Sequence, residues 1–197
     1  MTVVLLINGP PRAGKDTLAS HLIERIGGAT RRRMAHELKV RTHRLYDCPP
    51  ESWDDPDYYD DVKDVPSAQF HGLSPRAAYI AVSETYFKPT HGEEFFGELF
   101  VRWLDGIGPE TRLVAVPDSG FLTEVRPILR RVGLSRLLLV RVHAGGRGKS
   151  FAGDSRGYID IPRVPTLDVR NDVDGRADLF LEEAEVWVRS QTGLFHA

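Results

Sequence analysis

The sequence lacks the features that mark secreted, membrane-spanning or disulfide-stabilised proteins. It has one cysteine, Cys48, which excludes an intrachain disulfide and a cysteine-based zinc site and favours a reducing cytoplasm. No apolar run approaches the ~18 residues of a membrane-spanning helix, so we expect no membrane partner. Residues 1–7 lack the basic start and the small-residue cleavage site of a signal peptide.

An excess of charge of one sign is also missing. The chain has 26 Lys and Arg residues against 28 Asp and Glu residues, for a formal net charge of −2. A balance so close to zero argues against general nucleic-acid binding. The 197 residues, 41% of them hydrophobic, indicate one globular domain that can bury its own core.

Strand-like and helix-like patterns alternate along the chain. The apolar runs at 3–7, 113–116 and 137–140 are typical of strands that are buried on both faces. Helical spacing follows the first run at Leu18, Leu22 and Ile26, and further helices are predicted over 121–129 and 180–188. The alternation predicts an α/β fold with a mostly parallel central sheet and helices on both faces.

A glycine-rich stretch directly follows the first predicted strand and opens the first predicted helix. It reads Gly9-Pro10-Pro11-Arg12-Ala13-Gly14-Lys15-Asp16-Thr17. Its glycines allow successive N–H groups to turn inward as an anion nest, and the helix N-terminus adds positive charge. Lys15 can then reach the outer phosphates, which predicts a P-loop NTPase fold that binds ATP through residues 9–17. The alternative is a glycine-rich turn without a ligand.

The residue after the lysine departs from the strict pattern, because Asp16 stands where Ser or Thr is usual. Gly-Pro-Pro-x-Ala-Gly-Lys-x-Thr resembles the first loop of adenylate kinases and related nucleoside monophosphate kinases, in which much of the magnesium shell is water. That resemblance implies that Thr17 contacts phosphate or a metal-bound water and that Asp16 orients the same waters. Both residues are therefore candidates for the Mg²⁺ site.

A helix start is predicted at Ser74-Pro75, a favourable N-cap and first-turn pair. Arg76 follows in the first turn, where its charge opposes the helix macrodipole, so a ligand would explain its position. Charge is uneven nearby: residues 31–44 carry about +5 and residues 51–64 about −6. These segments are interpreted either as solvated surfaces that neutralise one another or as cations, Lys39 foremost, that face an anionic ligand.

Over most of its length the sequence resembles the bacteriophage-type deoxynucleoside monophosphate kinases. The resemblance rests on Gly14-Lys15-Asp16-Thr17, Leu38-Lys39, Lys63-Asp64, Ser74-Pro75-Arg76, Ser83-Glu84, Lys88-Pro89, Phe96-Gly97, Asp118-Ser119-Gly120-Phe121 with Glu124, Gly153-Asp154-Ser155-Arg156 and Asn171-Asp172. It implies that Lys39, Arg76, Glu84 and Lys88 line an acceptor pocket. The predicted single domain then has a core of about 1–30 and 110–197 and an acceptor-binding helical insertion over about 31–109. The alternative for Arg76 and Glu84 is a structural ion pair.

Three further features complete the predicted site. Asp118 ends a predicted strand at the carboxyl edge of the sheet, where it would hold Mg²⁺ or cap a helix starting near Ser119. Residues 143–158 have five glycines and three basic residues, which predicts either a mobile lid carrying catalytic Arg147 and Arg156 or a flexible surface loop. Asn171 precedes Val173-Asp174-Gly175, which is similar to a loop beside the adenine in adenylate kinases, and is therefore a candidate cofactor-binding residue.

These features predict an ATP- and Mg²⁺-dependent enzyme that moves the γ-phosphoryl group to a deoxynucleoside 5′-monophosphate, with Lys15, Arg147 and Arg156 as catalytic residues. Its expected partners are small-molecule nucleotides, and neither nucleic acid nor membrane. A homodimer is left open, and the expected location is the cytoplasm (the host's, if a phage encodes the chain). The alternatives are a P-loop kinase for another phosphorylated metabolite, such as a phosphomevalonate-type kinase, and a non-catalytic nucleotide-binding module.

Overall fold

The computed structural model describes residues 1–144, 151, 157–171 and 177–194. Within these residues, five strands form one sheet in the order β2-β3-β1-β4-β5, and every neighbouring pair is parallel. The strands are β1 (Val3–Asn8), β2 (Ala29–Arg31), β3 (Leu113–Val116), β4 (Leu137–His143) and β5 (Thr166–Arg170). The prediction of an α/β fold with a parallel sheet is confirmed, and its three predicted strands are β1, β3 and β4.

Seven α-helices accompany the sheet in the described chain. They are α1 (Lys15–Arg25), α2 (His36–Leu45), α3 (Pro75–Val82), α4 (Lys88–His91), α5 (Phe95–Gly106), α6 (Leu122–Val132) and α7 (Ala177–Thr192). A π-helical turn, Ser83–Phe87, joins α3 to α4. Short 3-10 turns occur at Pro50–Ser52, Asp60–Val62, Ala68–Phe70 and Leu134–Arg136.

The sheet is buried on both faces, which explains the continuous apolar runs of its central strands. Leu5 and Ile7 of β1 pack with α1 and α7 on one face. Val4 and Leu6 pack with α5 and α6 on the other, because successive strand residues point to opposite faces. Helices therefore pack against both faces of the sheet around β1. The glycine-rich turn (residues 9–14) directly follows this central strand, at the carboxyl edge of the sheet.

The segment between β2 and β3, all of which the structure describes, consists of helices, 3-10 turns and loops. It lies where the helical insertion was predicted, over about 31–109, and its acceptor-binding role stays a prediction. The predicted N-cap at Ser74 is confirmed, since its Oγ accepts a hydrogen bond from the N–H of Ala77 at 3.2 Å. Gly97 allows α5 to pack closely on α6, since a Cβ there would lie 2.2 Å from the carbonyl oxygen of Glu124.

Candidate functional site

The glycine-rich turn joins β1 to α1 through backbone angles that L-residues rarely adopt. Gly14 is the N-cap of α1 with φ 97°, and Arg12 has φ 61°. Lys15 folds back over the turn, where its Nζ donates hydrogen bonds to the carbonyl oxygens of Gly9 at 2.9 Å and Pro10 at 2.8 Å. The ammonium group therefore lies at the helix N-terminus, where the first N–H groups have no intrahelical acceptor.

Asn171, which follows β5, forms a hydrogen bond to this turn. Its Nδ2 donates to the carbonyl oxygen of Ala13 at 2.9 Å. A Cβ placed on Gly14 would lie 2.6 Å from the same Nδ2 and 3.2 Å from the ring of Phe180. The structure thus gives Asn171, a predicted cofactor-binding residue, a contact that positions the glycine-rich turn.

We expect Gly14→Ala to lower the stability of the protein and the ATP affinity that the sequence predicts for this turn. The added Cβ has to push Asn171 off Ala13, in addition to the ~1–2 kcal/mol that a left-handed backbone costs an L-residue. Gly72→Ala is the matched control, since φ is 87° there and nothing lies within 4 Å of the added Cβ. Chemical denaturation measures the stability, and equilibrium binding measures the ATP affinity. If the two variants lose the same stability and both still bind ATP, the expected clash between the added Cβ and Asn171 does not occur.

Buried polar side chains hold together the loops at the carboxyl edge of the sheet. Asn8, 1% exposed, donates from Nδ2 to the carbonyl oxygens of Ser119 at 2.9 Å and Gly157 at 3.1 Å. Its Oδ1 accepts from the N–H of Ile159 at 3.1 Å. The segments that follow β1, β3 and β4 are therefore fixed to one another beside the glycine-rich turn.

Asp118 connects the end of β3 to the start of α2. Its two carboxylate oxygens accept hydrogen bonds from the N–H groups of Met34 at 2.7 Å and Ala35 at 3.0 Å. The alternative that Asp118 caps the following helix is wrong, because α6 begins at Leu122 and has no side-chain cap. The carboxylate instead serves a helix start that is distant in sequence, which no local pattern could indicate.

A cavity of about 800 Å³ opens between the glycine-rich turn and the helical segment. Its lining includes all four predicted acceptor residues, Lys39, Arg76, Glu84 and Lys88, together with Asp118. Pro11 of the turn also lines it. The further lining residues are Arg33, Met34, Ala35, Leu38, Asp60, Lys63, Tyr79, Ile80, Ser83, Phe96, Phe121 and Glu124. The structure therefore brings residues from the whole span 11–124 to one site.

The basic and acidic segments meet at this cavity. Arg33 lies within 3.1–3.4 Å of carboxylate oxygens of Asp16, Asp57 and Asp60. Lys39, whose side chain is 11% exposed, lies 2.5 Å from Asp60 and 3.5 Å from Asp57. Arg33 and Lys39 of the basic segment thus pair with Asp57 and Asp60 of the acidic segment, but both cations are largely buried and face the cavity, so they do not form the solvated surface of the first interpretation.

The pKa values follow from this mixture of burial and pairing. Burial alone would lower the pKa of Arg33, but the carboxylates of Asp16, Asp57, Asp118 and Asp60 raise it. Burial alone would raise the pKa of Asp60, but its hydrogen bond from Lys39 and the nearby cations lower it overall. Both side chains are therefore charged across the physiological pH range, and the cavity holds ion pairs.

A buried hydrogen-bond chain fixes the aromatic wall of the cavity. His43 is fully buried, with Nδ1 2.7 Å from the carbonyl oxygen of Ser52 and Nε2 2.8 Å from the hydroxyl of Tyr79. Burial lowers the pKa of His43, so the ring is neutral, with Nδ1 donating and Nε2 accepting. Tyr79 is thereby held in place with Lys39 Nζ 5.9 Å from its ring centre.

The suggested ion pair between Arg76 and Glu84 is replaced by two other pairs. Arg76 Nε donates to Asp64 at 2.6 Å, and Lys88 Nζ donates to Glu84 at 2.5 Å. The sequence does not single out Arg33 or Asp60 as site residues. The only sequence feature that points to them is their position in the basic segment and in the acidic segment. Arg147, Arg156 and most of the predicted lid over 143–158 lie outside the described residues, as does the Val173-Asp174-Gly175 loop.

Within the described ranges, no three His, Cys, Asp or Glu side chains cluster in a way that would hold a metal ion by themselves. Over the same ranges, no helix is both long and apolar enough to cross a membrane. Comparison of the chain with models of known protein families found no match. Comparison with curated proteins found no matching relative either. The fold and the site thus define an α/β protein with a charged cavity at the carboxyl edge of a parallel sheet, where ligands bind in folds of this class.

Proposed function

We propose that this protein is a P-loop kinase that transfers the γ-phosphoryl group of MgATP to a deoxynucleoside 5′-monophosphate. The observation that carries the proposal is the cavity of about 800 Å³ beside the glycine-rich turn, with Arg33, Lys39, Lys63 and Arg76 in its lining. A phosphate-binding turn alone suits any nucleotide-binding protein. The adjacent cavity, whose lining has five basic and four acidic side chains, would supply the cations that an acceptor phosphate requires.

On the donor side, the turn, the start of α1 and Lys15 would hold the phosphates of ATP. Backbone N–H groups and a lysine ammonium are the usual contacts for the outer phosphates of a nucleotide. Lys15 already lies over the turn through its bonds to Gly9 and Pro10. Arg147 and Arg156 stay predicted as cations that close on the transferring group.

The residues present fit Mg²⁺, which prefers oxygen ligands, keeps several waters and is usually bound through one or two carboxylates plus substrate phosphates. Asp16, Thr17 and Asp118 would hold it; Asp16 and Thr17 are exposed in the first turn of α1, and Asp118 lies in the lining of the cavity. When bound, the ion would neutralise charge on the donor phosphates. Besides burial, the charges of both Asp16 and Asp118 act on the pKa of Arg33, and Asp16 Oδ1 lies 3.1 Å from its Nη2.

Phosphoryl transfer depends mainly on how the protein positions the two substrates and on the positive charge that it supplies. An acceptor phosphate oxygen forms the new bond to the γ-phosphorus as the bond to the β-phosphate oxygen breaks, giving ADP and a deoxynucleoside diphosphate. The acceptor oxygen is already anionic, so no general base is needed. MgATP and the acceptor together bring about four negative charges, which the chain's net charge of −2 cannot attract. Local cations such as Arg33, Lys39 and Arg76 would do so.

Arg33 also has spare donor capacity. Its Nε is buried and makes no hydrogen bond within the described part of the chain, although Asp57 lies 3.3 Å away. A phosphate oxygen would be a suitable acceptor for the guanidinium of Arg33 through its Nη groups, since the side chain is 20% exposed and lines the cavity whereas Nε is buried. Asp57 and Asp60 would then be the carboxylates that compete with the acceptor phosphate for Arg33 and Lys39.

We expect Asp60→Asn to lower the KM for the acceptor by about 3- to 10-fold at low salt, with a smaller change in kcat. The change removes the carboxylate that lies nearest Lys39 and leaves the ammonium available to the incoming phosphate. Asp54→Asn is the control, because Asp54 is in the same acidic segment, 94% exposed and paired with Arg44. A raised KM in Asp60→Asn would mean that Asp60 positions Lys39 rather than competing for it.

The direct test is ADP release with MgATP across the four deoxynucleoside monophosphates, dUMP, the ribose counterparts and phosphomevalonate. Turnover with one or more deoxynucleotides far above the rate without acceptor supports the proposal. Turnover with phosphomevalonate alone would assign a different P-loop kinase. Saturable ATP binding without ADP release under any acceptor would leave a non-catalytic nucleotide-binding module.

A further inference from the structure

One wall of the cavity is a nearly continuous helical stretch from α3 through the π-helical turn into α4. Arg76, Ile80, Glu84 and Lys88 recur on it every four residues, and all four line the cavity. At ~1.5 Å per residue, Arg76 and Glu84 lie about 12 Å apart along the helix axis. That separation is close to the length of a nucleoside monophosphate, so the two ends of this wall can meet the two ends of one nucleotide.

The Arg76 end is the one next to the glycine-rich turn. Arg76 Nε donates to Asp64 at 2.6 Å, and this hydrogen bond, followed by the charges of Lys63 and of Arg12 in the turn, lowers the pKa of Asp64. Arg33, another cation of the cavity lining, also lies near the turn, since it pairs with Asp16 in the first turn of α1. An acceptor phosphate that must receive the γ-phosphoryl group therefore belongs at this end, and the base belongs at the other.

The other end presents a carboxylate and an ammonium side by side. Lys88 Nζ lies 2.5 Å from Glu84 Oε1 and 5.4 Å from the ring centre of Phe121. The Lys88 side chain is 13% exposed, whereas that of Glu84 is 54% exposed and open to a ligand. Glu84 belongs to the π-helical turn, a distortion that is frequent at functional sites because it shifts side chains out of the regular helical register.

Building on the proposed function, we propose that Glu84 and Lys88 recognise the Watson–Crick edge of guanine and make dGMP the preferred acceptor. Guanine presents two adjacent donors, N1–H and the N2 amino group, which a carboxylate accepts as a parallel pair. Its O6 accepts from the Lys88 ammonium group. Adenine and cytosine offer one amino donor beside a ring-nitrogen acceptor, and thymine places its N3–H between two carbonyl oxygens that a carboxylate repels.

The test compares kcat/KM for dGMP and dIMP, which differ only in the N2 amino group. In the unmodified protein we expect dGMP to exceed dIMP by about tenfold or more and to exceed the other deoxynucleotides. In Glu84→Gln the preference for dGMP over dIMP should fall to within about twofold, while dIMP itself loses less than dGMP. Glu93→Gln is the matched control, because Glu93 lies 3.7 Å from Lys88 and outside the cavity lining, so the preference should persist.

The two proposals fail in different ways. If no nucleotide supports ADP release, the phosphoryl-transfer proposal is wrong, and equilibrium binding of dGMP and dIMP to the same variants still tests recognition by Glu84. If nucleotides are turned over but dGMP is not preferred, or the preference survives in Glu84→Gln, guanine recognition by this pair is wrong.

Discussion

Lys15→Ala is expected to lower kcat by at least about 10²-fold while leaving the protein folded. The ammonium group lies at the start of α1, where its Nζ reaches the carbonyl oxygens of Gly9 and Pro10. In the proposed reaction it would leave these carbonyls for the transferring phosphoryl group, whose charge is stabilised mainly by groups of this kind. Removing one such preorganised donor typically costs ~10²–10³ in rate.

Arg25→Ala is the matched control for this prediction, because Arg25 is an exposed cation at the other end of the same helix. Its activity and its thermal unfolding should stay close to those of the unmodified protein. Circular dichroism and thermal unfolding establish whether Lys15→Ala is folded before its rate is interpreted. A folded Lys15→Ala protein with unchanged kcat would remove Lys15 from the mechanism.

The strands and helices that could be predicted are those whose signal is local. β1, β3 and β4 are continuous apolar runs because both faces of the sheet are covered. β2 has only three residues, half-buried and ending in an arginine, so no pattern distinguishes it from a loop. β5 is an edge strand that carries Asp168, and its exposed positions remove the apolar run on which the prediction depends.

The residues of the candidate site also fall into those that a local sequence pattern predicts and those that it does not. The glycine-rich turn is contiguous in sequence, so its position between strand and helix could be predicted from spacing alone. Lys39, Arg76, Glu84 and Lys88 were assigned through resemblance, and the cavity now groups them. Their partners could not be predicted, because ion pairs such as Lys39 with Asp60 and Arg76 with Asp64 depend on how an irregular segment folds back onto α2 and α3.

Arg33 shows why the charge pattern was ambiguous. A run of basic residues is consistent both with a solvated surface and with an anion site. In the structure, Arg33 is neutralised by three carboxylates and also lines the cavity. The decisive quantity is the burial of each cation, which depends on tertiary packing and not on the number of charges in the segment.

The second large effect is expected for Asp118→Ala, which should lower kcat/KM by about 10²-fold and raise the KM for the acceptor. Both carboxylate oxygens of Asp118 accept hydrogen bonds from N–H groups at the start of α2, the helix that carries Lys39. Charge-assisted hydrogen bonds contribute ~1.5–3 kcal/mol each, so losing both should also lower the free energy of unfolding by about 3 kcal/mol or more. Asp105→Ala, which removes an exposed carboxylate paired with Arg131, should change the stability little.

Titration of the rate with Mg²⁺ separates the two roles of Asp118. If the carboxylate both positions α2 and holds the metal, Asp118→Ala needs more Mg²⁺ for half-maximal rate, in addition to having a raised acceptor KM. If it only positions α2, the acceptor KM rises and the Mg²⁺ requirement stays the same. The N–H groups of Met34 and Ala35 bind Asp118 at the end of β3, and we expect these bonds to hold Lys39 in the cavity. A folded Asp118→Ala protein with a normal acceptor KM would contradict that expectation.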